Sequence, residues 1–122
     1  DSYPMGATHG PQPMPGGAYA ALVFPKLTGP EVLSRLEAIA LATPRTRKLA
    51  GSPEAGLITW ETRSAFWGFP DYTTAQAVAS DSGSRLYLVA RLRFGRDDFG
   101  VNAARLTAWE QALSVQTGAN SQ

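Results

Sequence analysis

The sequence predicts an α+β domain: a five-stranded, mostly antiparallel curved sheet in the order β-α-β-β-β-β-α, with two helices packed on one face. Three observations lead there. Arg85 to Phe94 alternates, with Leu86, Leu88, Ala90, Leu92 and Phe94 on one side and Arg85, Tyr87, Val89, Arg91 and Arg93 on the other. Two segments, one around Val32, Leu33, Leu36, Ile39 and Ala40 and one around Leu106, Trp109 and Leu113, each carry one apolar helical stripe. The later strands are joined by short connections, which only antiparallel neighbours can use.

The elements follow in chain order. Residues 1–17 are rich in proline and glycine and carry no charge after Asp1. Such an arm buries little apolar surface by itself and is expected to lack regular structure. Ala18 to Phe24 is apolar and reads as a strand, stopped by Pro25. Thr28-Gly29-Pro30-Glu31 is a helix start. Thr28 caps, Glu31 returns the bond three residues later, and Pro30 suits the first turn. Glu31 and Arg35 form an i,i+4 pair, and Pro44 closes the helix. Arg45 to Ala50 is a short basic strand, Leu57 to Ser64 a stronger one, and Tyr72 to Ala79 a third. Asp81-Ser82-Gly83-Ser84 is a hairpin turn into Arg85 to Phe94. The last helix runs from about Val101 to Val115, and Gly118 ends it. One domain over residues 18–116, with a frayed tail at 117–122, accounts for the chain.

Composition narrows the function classes. With 122 residues, 43% apolar and 17% charged, the chain is a folded domain with one core. A net charge of +1 offers no whole-molecule attraction to nucleic acid or anionic lipid. The absence of cysteine excludes disulfides and cysteine zinc sites. No apolar run reaches bilayer length. The chain begins at Asp1, which fits either a removed leader or anchor or a late start.

The junction Arg93 to Arg105 concentrates special backbone and charge. Gly95 and Gly100 allow positive φ, and Asn102 suits a helix N-cap. Asp97 and Asp98 precede the helix N-terminus, where carboxylates are favoured, and Arg93 and Arg105 can bracket them. The pattern R-x-G-x-x-D-x-G-x-N-x-x-R, carried by Arg93, Gly95, Asp98, Gly100, Asn102 and Arg105, resembles the closing signature of the domain-of-unknown-function family 1499. Glu61-Thr62-Arg63-Ser64, followed by Phe66-Trp67-Gly68-Phe69-Pro70-Asp71-Tyr72, is similar to that family's middle segment. The resemblance covers residues 18–116. It departs in two places: no cysteine-bearing segment stands near the start, and Val89 occupies a position where relatives often carry an arginine, with Arg91 instead. What the resemblance implies is a bacterial or organellar protein, commonly exported or membrane-tethered, hence a periplasmic or membrane-tethered location, with no established activity.

Three groups of residues are candidate sites. Arg63, Tyr87, Arg91 and Arg93 share the helix-free face and suit a small anionic or amphipathic ligand; the plainer reading is a charge ladder with Glu61. Phe66, Trp67 and Phe69 suit a protein partner or a membrane interface, unless they plug the core. Asp97 and Asp98, with Asp71, read best as helix-terminus and arginine partners. Asp98-Phe99-Gly100 matches the kinase tripeptide without its companions, and Gly95 to Gly100 has phosphate-loop spacing without the lysine. His9, the single histidine, lies in the arm, so no nucleophile-base pair is evident. The expectation is a non-catalytic domain without cofactor or metal. Its protein partner meets the arm and the aromatic turn, it belongs to a membrane protein assembly as an accessory subunit, and it does not contact nucleic acid. The alternative is the small-ligand binder.

Overall fold

A computed structural model describes residues 9–14, 16–64, 68–81, 83–92 and 100–117. In chain order the elements are β1 (His9–Met14), β2 (Gly17–Phe24), α1 (Gly29–Ala42), β3 (Thr46–Ser52), β4 (Leu57–Arg63), β5 (Pro70–Ser80), β6 (Gly83–Leu92) and α2 (Val101–Thr117). All strand pairs are antiparallel, in the spatial order β1-β2-β6-β5-β4-β3.

The sheet has six strands, one more than the sequence predicts. The extra strand lies in the arm. His9–Met14 pairs with β2, matching Gln12 to Tyr19 and His9 to Ala21 with an irregular step between. Its prolines remove backbone donors, which an edge strand tolerates on its outer side. The register, rather than an apolar pattern of its own, holds it.

Alternation sorts the strands into two faces. Ala18, Ala20, Leu22, Phe24, Ile58, Trp60, Ala75, Leu86, Leu88 and Ala90 form one buried cluster. The apolar stripes of both helices join it: Val32, Leu33, Leu36 and Ala40 from α1, and Leu106, Trp109 and Leu113 from α2. Trp60 and Trp109 meet edge to face at 5.5 Å between ring centroids, joining β4 to α2. Lys48 pairs with Glu37 at 3.0 Å, fastening α1 over the β3 edge.

Helix α1 starts as its residues require. Thr28 Oγ1 accepts from the Glu31 N–H at 3.2 Å, and Glu31 Oε1 accepts from the Thr28 N–H at 2.8 Å. At its other end the Thr43 hydroxyl donates to Ile39 O at 2.9 Å and accepts from Trp109 Nε1 at 3.0 Å. That hydroxyl links the end of α1 to the middle of α2. On the β3 edge the register slips between Lys48 and Ala50. Gly51 follows at φ 89°, where a Cβ would run into the Leu57 carbonyl. A charged, bulged edge of this kind discourages strand addition.

Helix α2 begins at Val101, so Asn102 lies inside the first turn instead of capping it. It is fully buried, and its Oδ1 accepts from Arg105 Nη1.

Candidate functional site: an arginine-lined corner at the β3–β4 edge

Pro44 ends α1, and the chain turns into β3 through Arg45, which adopts φ 59°. A non-glycine residue in the left-handed region is strained and needs support. Arg63, where β4 ends opposite, supplies it. The Arg63 N–H donates to Arg45 O at 3.0 Å, and Arg45 Nε donates to Arg63 O at 3.2 Å.

Further along the pair of strands, Arg47 stands directly opposite Glu61. Arg47 Nε donates to Glu61 Oε1 at 3.0 Å, and Arg63 reaches the same carboxylate at 3.4 Å. Arg63 Nη1 also donates to Gly68 O at 2.7 Å. Ser64 closes the same loop: its N–H donates to Phe69 O at 3.0 Å, and its Oγ accepts from the Phe69 N–H at 3.2 Å.

These groups line a cleft of about 650 Å³ bounded by Leu41, Pro44, Arg45, Arg47, Glu61, Arg63 and Gly68. Among the described residues, three guanidiniums and one carboxylate share it. Glu61 is buried, at 4% exposure, while the Arg47 and Arg63 side chains are half to two-thirds exposed. The carboxylate is therefore the floor, and the cations form a rim that still faces water. Such a rim can hold an oxyanion by charge-assisted hydrogen bonds.

A second cleft, of about 480 Å³, lies on the other side of the Thr43-Pro44-Arg45 turn, between the end of α1, α2 and the end of β4. Ile39, Ala104, Ala108, Trp109 and Ala112 give it an apolar lining.

Of the four residues expected to share a site, Arg63, Tyr87 and Arg91 are described. Arg63 belongs to the cleft. Tyr87 is on the helix-free face but buried at 2% exposure, as are its neighbours Ala21 and Val89, so it presents no surface to a ligand. It also lies four residues along β6 from Arg91, about 13 Å at strand rise. Arg91 is exposed, in the row Arg91–Tyr72–Glu61–Arg47, two strands from Glu61. Arg93, Phe66, Trp67, Gly95, Asp97 and Asp98 lie outside the described residues. Phe69 is 59% exposed. Gly100 has φ 79°, the positive value expected of it. Arg105 pairs with Asp71 at 3.1 Å, fastening α2 to β5.

Sequence reasoning missed Arg45, Arg47 and Leu41. Part of the signal was present: Arg47 lies in the short basic strand, where antiparallel pairing sets it opposite Glu61, while Arg45 reaches the cleft from the turn before that strand. Among the described residues no cluster of three metal-ligating side chains occurs. No described helix is long and apolar enough to cross a membrane.

The family is now defined. Residues 12–113 match the model of the family described as "Protein of unknown function (DUF1499)", and the chain belongs to it. No curated protein and no solved structure matches the chain.

Proposed function

We propose that this chain is a non-catalytic binding domain whose ligand carries an oxyanion, a carboxylate or phosphate, held at the β3–β4 corner. The observation that carries the reading is the imbalance in the cleft: Arg45, Arg47 and Arg63 surround one carboxylate, Glu61. Glu61 orients two of the guanidiniums without neutralising the rim, and Arg45 contributes a third charge from a strained backbone position. This moves the anion site from the centre of the helix-free face to its edge. Amide NMR during titration with inorganic phosphate and with acetate tests the reading. Shifts confined to residues 45–47 and 61–64, lost in Arg47→Ala, support it. An unshifted spectrum at tens of millimolar anion, a range suited to the weak binding of a bare ion, rejects it.

A second reading is a protein contact at the same corner, in a periplasmic or membrane-tethered setting and as part of a membrane protein assembly. Phe69, 59% exposed beside Gly68 on the cleft wall, favours it. The described part of the arm pairs with β2 of its own chain, so the aromatic turn carries this reading without it. Photo-crosslinking from position 69 in cells that make the protein distinguishes the two. A discrete protein adduct supports a partner, and its absence leaves the anion reading alone.

A further inference from the structure

The two clefts meet at one turn and differ in chemistry, and from this we infer that the ligand is an anionic amphiphile. Its oxyanion sits among Arg45, Arg47 and Arg63, and its alkyl portion crosses Pro44 into the cleft between α1 and α2. This rests on the oxyanion reading above and adds the ligand's apolar half.

The polar groups of the second cleft other than Arg45 already have partners. Thr43 Oγ1 is engaged on both sides, by Trp109 Nε1 and Ile39 O. Thr62 Oγ1 is shared with Thr46 Oγ1 at 2.8 Å. Arg105 is held by Asp71 and Asn102. None of these needs a ligand. What remains is apolar: Ile39 on one wall and Ala104, Ala108 and Ala112 on the other, spaced four apart along one face of α2. Their small side chains leave the groove unfilled. The exception is Arg45, which lines both clefts and whose guanidinium makes its hydrogen bond through Nε to a carbonyl, not to a carboxylate. An apolar groove opening onto a cation is complementary to a chain that ends in an anion. A purely polar anion would leave the groove unused, and an uncharged alkyl chain would leave the rim unused.

Paired titrations followed by amide NMR test this: inorganic phosphate against octyl phosphate, and acetate against octanoate, all below micelle-forming concentrations. In whichever pair binds, the alkyl member is expected to bind at least tenfold tighter. It should also shift Ile39, Ala104 and Ala108, which the bare ion leaves in place. Ala108→Phe, at an exposed helix position, fills the groove and should abolish the tenfold gain while leaving bare-ion binding unchanged; Ala112→Leu is an independent filler. Equal affinities for the bare and alkyl ions overturn the inference and leave the oxyanion site standing. So does an alkyl gain that both fillers leave intact. If no anion, bare or alkyl, shifts residues 45–47, the underlying site reading falls as well. Should either filler lower the melting temperature sharply, the wild-type shifts at Ile39, Ala104 and Ala108 decide, and their absence overturns the inference.

Discussion

Arg45 and Arg63 hold each other through two reciprocal hydrogen bonds, one backbone to backbone at 3.0 Å and one from Arg45 Nε to the Arg63 carbonyl at 3.2 Å. The pair fixes the start of β3 against the end of β4, and it does so with Arg45 at φ 59°. Glycine accepts that backbone without strain, and a β-branched residue accepts it least. Arg45→Gly loses the side-chain bond and gains relief of strain, so its stability should stay within about 1 kcal/mol of wild type. Arg45→Val should cost about 1–3 kcal/mol. The order is the reverse of ordinary strand preference, which favours valine over glycine. Urea unfolding of both variants measures it, and a valine variant as stable as the glycine one would contradict the strained geometry.

Glu61 stands directly opposite Arg47 and two residues before Arg63 on β4, and its carboxylate is shared by both guanidiniums. Its removal has two consequences of opposite sign. Glu61→Gln should lower stability by about 1–2 kcal/mol at low salt, because two part-exposed guanidiniums lose their shared partner. The difference from wild type should shrink in concentrated salt, which screens the exposed repulsion. The same variant should bind phosphate more tightly, since the one carboxylate that the described residues place in the cleft is gone. Parallel denaturation and anion titrations check both; a stability loss with weaker anion binding would place the ligand elsewhere.

Much of this architecture could be read from residue patterns, because the forces responsible are local. The Thr28–Glu31 box needs only three residues of separation, the α2 seam only a helical period, and the β5–β6 hairpin only a short turn; all three are present. Long-range pairing supplied what the patterns missed. Pro11 and Pro13 argue against a strand when read locally, yet register with β2 makes His9–Met14 one. Tyr87 alternates outward as expected but is buried there, which no period reveals. Arg47 gains its meaning only opposite Glu61, and Tyr87 and Arg91, expected at one site, lie four residues apart along β6 because residues on one face can still be several rows apart.

The core contains a polar pair that could be tested by removal. Trp60 and Thr73 are direct cross-strand partners, both fully buried, and neither Trp60 Nε1 nor Thr73 Oγ1 has a hydrogen-bond partner among the described residues. A buried hydroxyl without a partner carries a desolvation cost that an isosteric methyl does not. Thr73→Val should therefore be neutral or stabilising by up to about 1 kcal/mol. A loss of more than that in denaturant unfolding would mean that the hydroxyl is satisfied, by an internal water for example.

Arg105 and Asp71 join the first turns of α2 to the start of β5, with side chains only 12% and 15% exposed. Breaking one side of a largely buried pair leaves a charge that water cannot fully reach. Asp71→Asn should destabilise by about 2–3 kcal/mol, less than for a fully buried pair because some solvent remains and Asn102 still accepts from Arg105. Arg105→Lys keeps the charge but cannot span both acceptors from one planar group, and should retain only part of the pair's stabilisation. Hydrogen exchange across residues 101–113 separates this from a global effect, because the fastest-opening amides should be those at the start of α2.

Acid should loosen α1 from its N-terminus, and the sign follows from Glu31. The Thr28 N–H, donated to the Glu31 carboxylate, holds its pKa below the ordinary 4.5, with the Thr28 hydroxyl and Arg35 acting in the same direction. The unfolded chain therefore takes up this proton before the folded one does. The cap's contribution is complete above about pH 4.5 and is lost as pH falls through the lower, folded value. Glu31→Gln keeps an acceptor oxygen for the Thr28 N–H but has no proton to bind. Its stability difference from wild type should be largest near neutral pH and should narrow steadily on the acid side. Urea midpoints for both proteins, taken at intervals from about pH 7 to about pH 3 to span the carboxylate range, supply the comparison. A gap that widens in acid would mean that the protonated side chain caps better than the ionised one, contrary to the charge-assisted bond at 2.8 Å.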